Sequence, residues 1–123
     1  MKKNILDFQQ MKKDNIPVSW LTSYNYWQGK AAQNAGIDMI LCGDSYGNVE
    51  CGYDSTIPVT LEQMTEVTKN VRKGANSTFI IGDFPMGCYE SSNSQAVDSA
   101  VKFIKAGADA IKLERASNSS WEK

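Results

Sequence analysis

The tightest constraint on the fold is a repeated junction. Ala35-Gly36-Ile37-Asp38-Met39-Ile40 resembles Ala106-Gly107-Ala108-Asp109-Ala110-Ile111 further along the chain. At each, a helical pattern ends at glycine, the residue suited to a left-handed C-cap, and turns at once into an apolar run. Helices that feed repeatedly into strands signal βαβ units, with right-handed crossovers and a parallel sheet. The expected fold is therefore α/β, as one domain over residues 1–123.

The remaining segments fit this alternation. Ile5, Phe8 and Met11 recur at helical spacing and predict a helix within residues 1–16, ended before Pro17. Strands are predicted over 18–22, 37–42, 78–81 and 109–114. The second is almost continuously apolar, as a strand covered on both faces should be. A helix over 27–35 carries a small-residue face of Ala31, Ala32 and Ala35. Thr60 and Gln63 form a capping box ahead of Leu61, Met64, Thr68 and Val71, a helix predicted to stop at Lys73-Gly74. Ser94 is the expected cap of a helix that presents Val97, Val101 and Ile104 on one face. Between the second strand and the Thr60 helix, residues 43–59 form a loop too long to be idle. Residues 115–123 are a polar tail.

Composition narrows the chemistry. The chain of 123 residues is 41% hydrophobic and 22% charged, with a formal net charge of −1. That balance argues against nucleic acid or an anionic membrane as partner. No apolar run is long enough to span a bilayer, and the first residues lack a signal-peptide core, so a cytoplasmic location is the expectation. There is no histidine, which excludes Ser-His-Asp and Cys-His triads and histidine-ligated zinc. Cys42, Cys51 and Cys88 match no metal spacing and read as reduced and structural. Acid–base work falls to carboxylates, lysine or tyrosine, and any metal must take oxygen ligands, which favours a magnesium-like cation.

The strand exits supply those ligands. The second strand runs into Asp44, the third into Asp83, the fourth into Glu114. In a parallel sheet these exits share one edge, and neighbouring strands lie about 4.8 Å apart. Acids gathered there repel one another unless a cation joins them, and that edge is where α/β sheets and barrels bind ligands. Any one of the three alone would more often be a turn residue; their equivalent places in successive units give the metal reading its weight. Ser45 follows Asp44 and can donate a hydrogen bond to an anion. Lys112 lies two residues before Glu114, on the same side of the strand. A metal, a lysine and a hydroxyl together suit a small 2-oxo acid and its enolate. Tyr46 and Tyr53 could line the pocket or simply pack the loop.

Three stretches, "LTSYNYWQGKAAQNAGIDMILCGDSYGNVECGYDSTIPVTLEQM", "VRKGANSTFIIGDFPMGCYE" and "KAGADAIKLE", resemble the ketopantoate hydroxymethyltransferase family. "GDS" followed by "GYDSTIPVTLEQM" is far more specific than a lone glycine motif. The resemblance implies a (β/α)8 TIM barrel of the phosphoenolpyruvate/pyruvate type, of which this chain holds the N-terminal half, about four βα units. It implies transfer of a hydroxymethyl group from 5,10-methylenetetrahydrofolate to 3-methyl-2-oxobutanoate, giving 2-dehydropantoate on the way to pantothenate and coenzyme A. It also implies Mg2+ and a cytoplasmic homo-oligomer, typically a decamer. By motif it places Asp44, Asp83 and Glu114 on the metal and Asp44, Ser45, Asp83 and Lys112 on the keto acid.

The family's general-base glutamate matches no residue here. Two local departures are Asn25, where the family commonly has aspartate, and Arg115-Ala116, where it has a glycine pair. Half a barrel can be part of a longer transferase, one of two halves that close together, or a remnant that binds without turnover; the first is the favoured reading. The rival readings are an inactive half-barrel interaction protein, which predicts a stable dimer without activity, and a magnesium-dependent lyase or mutase of the isocitrate lyase type, which predicts no use of the folate.

Overall fold

The computed structural model describes residues 1–114; the expected tail at 115–123, and with it Arg115-Ala116, lies outside the described residues. In chain order the elements are α1 (Ile5–Lys13), β1 (Trp20–Thr22), α2 (Tyr26–Asn34), β2 (Met39–Cys42), α3 (Tyr46–Val49), α4 (Leu61–Gly74), β3 (Phe79–Asp83), α5 (Asn93–Ala106) and β4 (Ala110–Lys112). The strands form one wholly parallel sheet in the order β1-β2-β3-β4. Every strand lies beside its sequence neighbour, so the sheet winds in one direction; a doubly wound sheet would reverse its order. The winding is that of a βα barrel, carried through four strands.

Strand alternation sends side chains to opposite faces, and each face has its own core. Ile40, Cys42 and Ile80 pack with Ala32 of α2, Met64, Val67 and Val71 of α4, and Phe103 of α5. Phe79 and Ile81, with Met39, Leu41 and Ala110, turn the other way and meet Phe8 and Met11 of α1. Phe8 and Phe79 contact edge to face, with ring centroids 5.2 Å apart. Thus α1 covers the face that lines a barrel interior, and α2, α4 and α5 form the outer layer. Asp83 and Lys112 belong to the interior face, because the register pairs Ile81 with Ala110 and Asp83 with Lys112.

The repeated junction has a mechanical meaning. Asp38 accepts the Ser19 backbone N–H and the Ser19 hydroxyl, each at 2.8 Å. Asp109 accepts the Ile80 N–H at 2.9 Å. Each aspartate therefore ties the start of its strand to the strand before. Lys3 and Lys2 reach from the N-terminus to form ion pairs with Asp38 and Asp109 respectively.

The α4 prediction agrees with the structure. Thr60 accepts the Gln63 N–H, the Gln63 side-chain oxygen accepts the Thr60 N–H, and Met64, Val67, Thr68 and Val71 are buried. Asn25 caps α2 by accepting the Gln28 N–H at 3.0 Å, a role for which asparagine and aspartate are equivalent.

Other expectations change. The true cap of α5 is Ser92, and the buried face is Ser99, Phe103 and Ala106, whereas Val97, Val101 and Ile104 are exposed. The helical period was legible but its phase was not: the small-residue stripe seats Phe103 against the sheet, and the β-branched stripe faces outward. Gly82 does not end β3, which continues to Asp83. A Cβ on Gly82 would lie 2.3 Å from the Phe103 ring, so glycine there makes room for an aromatic. In α2 the close-packed positions are Gly29 and Ala32, with Ala31 and Ala35 exposed. Loop 43–59 contains the single turn α3 and is held down by Val59 and Tyr53 against Gly47.

Candidate active site

The strand exits meet at the carboxyl edge of the sheet. Asp83, the last residue of β3, is only 2% exposed. One of its oxygens accepts the Lys112 ammonium at 3.0 Å, and the other accepts the Asp44 backbone N–H at 3.1 Å. Lys112 also forms an ion pair with Glu114. Register places Lys112 directly beside Asp83; β4 ends at Lys112, short of the expected 114, so Glu114 reaches the site from past the strand through its ion pair with Lys112. The structure thus joins Asp44, Asp83, Lys112 and Glu114, all four anticipated from the sequence, into one chain of contacts.

Ser45 follows at the start of α3, and its hydroxyl lies 2.7 Å from the Tyr24 phenol oxygen. Thr56, in the loop after α3, favours the charged form of the Asp44 carboxyl. Sequence reasoning assigned neither Tyr24 nor Thr56. Tyr24 stands just past the exit of β1, so applying the strand-exit criterion to β1 would have found it; Thr56 lies mid-loop and carries no such signal. Tyr53 bonds to Gln63 at 3.2 Å and packs the loop, and Tyr46 lies beside Tyr24 with ring centroids 6.4 Å apart.

The electrostatics follow from this crowding. Burial pushes the Asp44 carboxyl above its ordinary value of 3.8, and the like charges of Asp83 and then Glu114 add to the rise, against Lys112 and the nearby Thr56 side chain. For Lys112, burial is the largest influence and pulls the ammonium down, but the bonds to Glu114 and Asp83 outweigh it and the net shift is upward. In the metal-free chain the two carboxylates thus favour the charged ammonium of Lys112.

A raised carboxyl means that the folded chain holds more protons than the unfolded one just above pH 3.8, so its contribution to stability falls as pH rises through the folded value. Asp44→Asn should accordingly stabilise the metal-free chain at pH 7, by at most about 1 kcal/mol once solvent screening is counted. The gain should vanish below pH 3.8. Urea titrations of both chains across that range check this; a destabilised variant at pH 7 would contradict it.

The donors suit a hard divalent cation in kind, being carboxylate oxygens. Asp44 and Asp83 lie together, and Asp44 feels Glu114 as a like charge. The third candidate ligand, Glu114, is instead tied to Lys112. Among the described residues no three acidic or sulfur side chains are gathered as an ion site. The cysteines take no part: burial pushes Cys42 up to about 12, and burial followed by the charge of Glu90 pushes Cys88 up to about 11. At pH 7 a maleimide should modify only the half-buried Cys51 of the folded chain and all three thiols in urea. Mass spectrometry reads the count, and a fast second adduct on the folded chain would contradict the assignment.

A one-way parallel sheet with acids and a lysine at its carboxyl edge defines a partial βα barrel. Solved structures agree. A phosphonopyruvate hydrolase in complex with oxalate and Mg++ matches with a TM-score of 0.72 at 16% identity, covering 95% of this chain and 41% of the other. A 2,3-dimethylmalate lyase, described as a PEP mutase/isocitrate lyase superfamily member, matches with a TM-score of 0.65 at 15% identity over 86% and 38%. At such identities the likeness is one of fold.

Sequence goes further. The ketopantoate hydroxymethyltransferase profile matches residues 2–122, and the chain belongs to that family. The 3-methyl-2-oxobutanoate hydroxymethyltransferase of Kosmotoga olearia is 52% identical over 102 residues, covering 83% of this chain and 38% of the relative. That of Alkaliphilus metalliredigens is 48% identical over 114 residues, covering 92% and 40%. The chain spans about 40% of the length of the curated relatives it matches. Among the described residues no helix is long and apolar enough to cross a membrane.

Proposed function

We propose that these residues form the keto-acid-binding half of a 3-methyl-2-oxobutanoate hydroxymethyltransferase. The reaction moves a hydroxymethyl group from 5,10-methylenetetrahydrofolate to 3-methyl-2-oxobutanoate and yields 2-dehydropantoate for pantothenate and coenzyme A synthesis. The cytoplasmic setting and homo-oligomeric assembly belong to the same reading, which rests on family membership. The observation that carries it is the Lys112 ammonium, held at 3.0 Å by a buried Asp83 at the sheet edge where Asp44 and Ser45 arrive.

Asp44 and Asp83 would hold Mg2+, with Glu114 joining them from its pairing with Lys112. When bound, the ion supplies Lewis acidity toward the oxygens of a 2-oxo acid. The protein's own groups do the rest. Ser45 donates to the substrate carboxylate. Lys112, charged at neutral pH, stabilises negative charge developing on the enolate oxygen. The base that takes the C3 hydrogen is, in the family, a glutamate. That base lies in sequence that the family has and these 123 residues do not match.

Calorimetry with 3-methyl-2-oxobutanoate, with and without Mg2+, tests binding; uptake should depend on the ion. A chimera that continues from Glu114 into the remainder of the Kosmotoga olearia relative tests chemistry. It should form 2-dehydropantoate from the two substrates, and an inactive but folded chimera would refute the reading. A folate-independent cleavage of a 2-oxo acid adduct would instead favour the lyase class.

A further inference from the structure

We propose that Tyr24 is a positioning residue, whose phenol holds the Ser45 hydroxyl so that the serine proton is free for the carboxylate of a 2-oxo acid. The assignment rests on the function proposed above and adds to it a residue from the β1 exit. Its first support is geometric: the two oxygens lie 2.7 Å apart in a half-buried setting. Either oxygen can donate in this pair, and the more acidic phenol favours Tyr24 as donor and Ser45 as acceptor. The serine proton then has no partner in this pair and is directed to a third group.

The second support is the work that Ser45 does not do. It occupies the N-cap position of α3, yet its side chain makes no capping bond. Its backbone is already helical, with φ −55° and ψ −10°, unlike that of a capping serine, so the hydroxyl is left to other partners. Here the hydroxyl is withheld from the backbone and turned toward β1. Gly43 gives it room, because a Cβ there would stand 3.2 Å from the Ser45 oxygen.

The third support is how firmly Tyr24 is itself held. The Ser23 N–H donates to the Leu41 carbonyl at 2.9 Å, extending the β1–β2 pairing past Thr22. The Tyr24 N–H donates to Gln28 at 2.7 Å. Asn25 then caps α2. The backbone is pinned on both sides of the ring, and the Tyr46 ring lies against it. A phenol anchored this way aims a neighbouring hydroxyl at little entropic cost.

Tyr24→Phe removes one oxygen and keeps the ring. It should weaken Mg2+-dependent binding of 3-methyl-2-oxobutanoate about five- to tenfold, the value of one hydrogen bond. Ser45→Ala should weaken it at least as much. The double variant should bind like Ser45→Ala alone, because the phenol acts only through the serine. Circular dichroism melts run alongside show that the fold is kept. Undiminished affinity in Tyr24→Phe, or losses that multiply in the double variant, overturns the assignment. Should Ser45→Ala leave no measurable binding, the Tyr24→Phe affinity decides alone. If the parent chain binds no 2-oxo acid with Mg2+, the function proposed above fails and this assignment falls with it, whereas a parent that binds alongside an unaffected Tyr24→Phe sinks only the role of Tyr24.

Discussion

Asp83→Ala is expected to abolish Mg2+-dependent binding of 3-methyl-2-oxobutanoate, by at least about 100-fold, and to leave the chain folded. The asymmetry follows from what the carboxylate holds. Asp83 is buried, and its two oxygens serve different partners, the Lys112 ammonium and the Asp44 amide. Deleting it frees Lys112 to collapse onto Glu114, with which it already pairs. The positive charge then leaves the point where the substrate oxygens would arrive. Truncating one member of a hydrogen-bonded charge pair typically costs about 2–5 kcal/mol in binding. Folding suffers less, because the lost bonds are offset by relief of Asp44, whose carboxyl Asp83 now burdens with a like charge. Asp83→Asn separates charge from shape: it can still accept the Asp44 N–H, yet it should lose binding almost as completely. Calorimetry reads both variants, and affinity within threefold of the parent for Asp83→Asn would remove Asp83 from the site.

The residues proposed for this site stand out in the sequence because each sits where an apolar run stops. Asp44, Asp83 and Glu114 announce themselves as charges at the tips of buried strands, and the two-residue step from Lys112 to Glu114 predicts their common side. Their contacts were not legible. Register between β3 and β4 is what sets Lys112 beside Asp83, and register comes from how α5 packs across the sheet. The phase of α5 was itself ambiguous, since Val97, Val101 and Ile104 offer as good a helical stripe as Ser99, Phe103 and Ala106. The choice is made by a non-local fit, the Phe103 ring against Gly82, and a glycine that reads as a strand break is a socket. The long loop shows the same limit. Its length pointed to a working role, but the approach of Thr56 to Asp44 depends on how α3 folds the chain back.

Arg72→Met should destabilise the chain by about 3 kcal/mol, near the lower end of the range for breaking a buried ion pair because both partners keep some exposure. Both side chains are 19% exposed. Arg72 stands in the last turn of α4 and spends its guanidinium on four acceptors. Its Nε donates to the Gly107 carbonyl at 2.8 Å, and one Nη donates to the carbonyls of Ala75 at 2.8 Å and Thr78 at 2.9 Å. The other Nη meets Asp109 at 2.6 Å. One side chain thereby joins the end of α4, the turn into β3, the end of α5 and the repeated junction that starts β4. Gly107 completes the arrangement: its φ of +112° and a Cβ position 2.7 Å from the Arg72 stem both require glycine. Methionine can fill the stem but leaves three carbonyls and Asp109 without their donor. Arg72→Lys should recover less than half of the loss, since a single ammonium cannot reproduce a planar fork. The strand staple predicts where the damage goes. Asp109 would keep the Ile80 amide and the Lys2 ion pair, but with one anchor fewer β4 should fray first and carry Lys112 away from Asp83. Urea denaturation measures the total, and hydrogen exchange at residues 110–112 locates it. A loss below about 1 kcal/mol, or exchange that rises uniformly across the sheet, would show that the guanidinium is only a surface decoration.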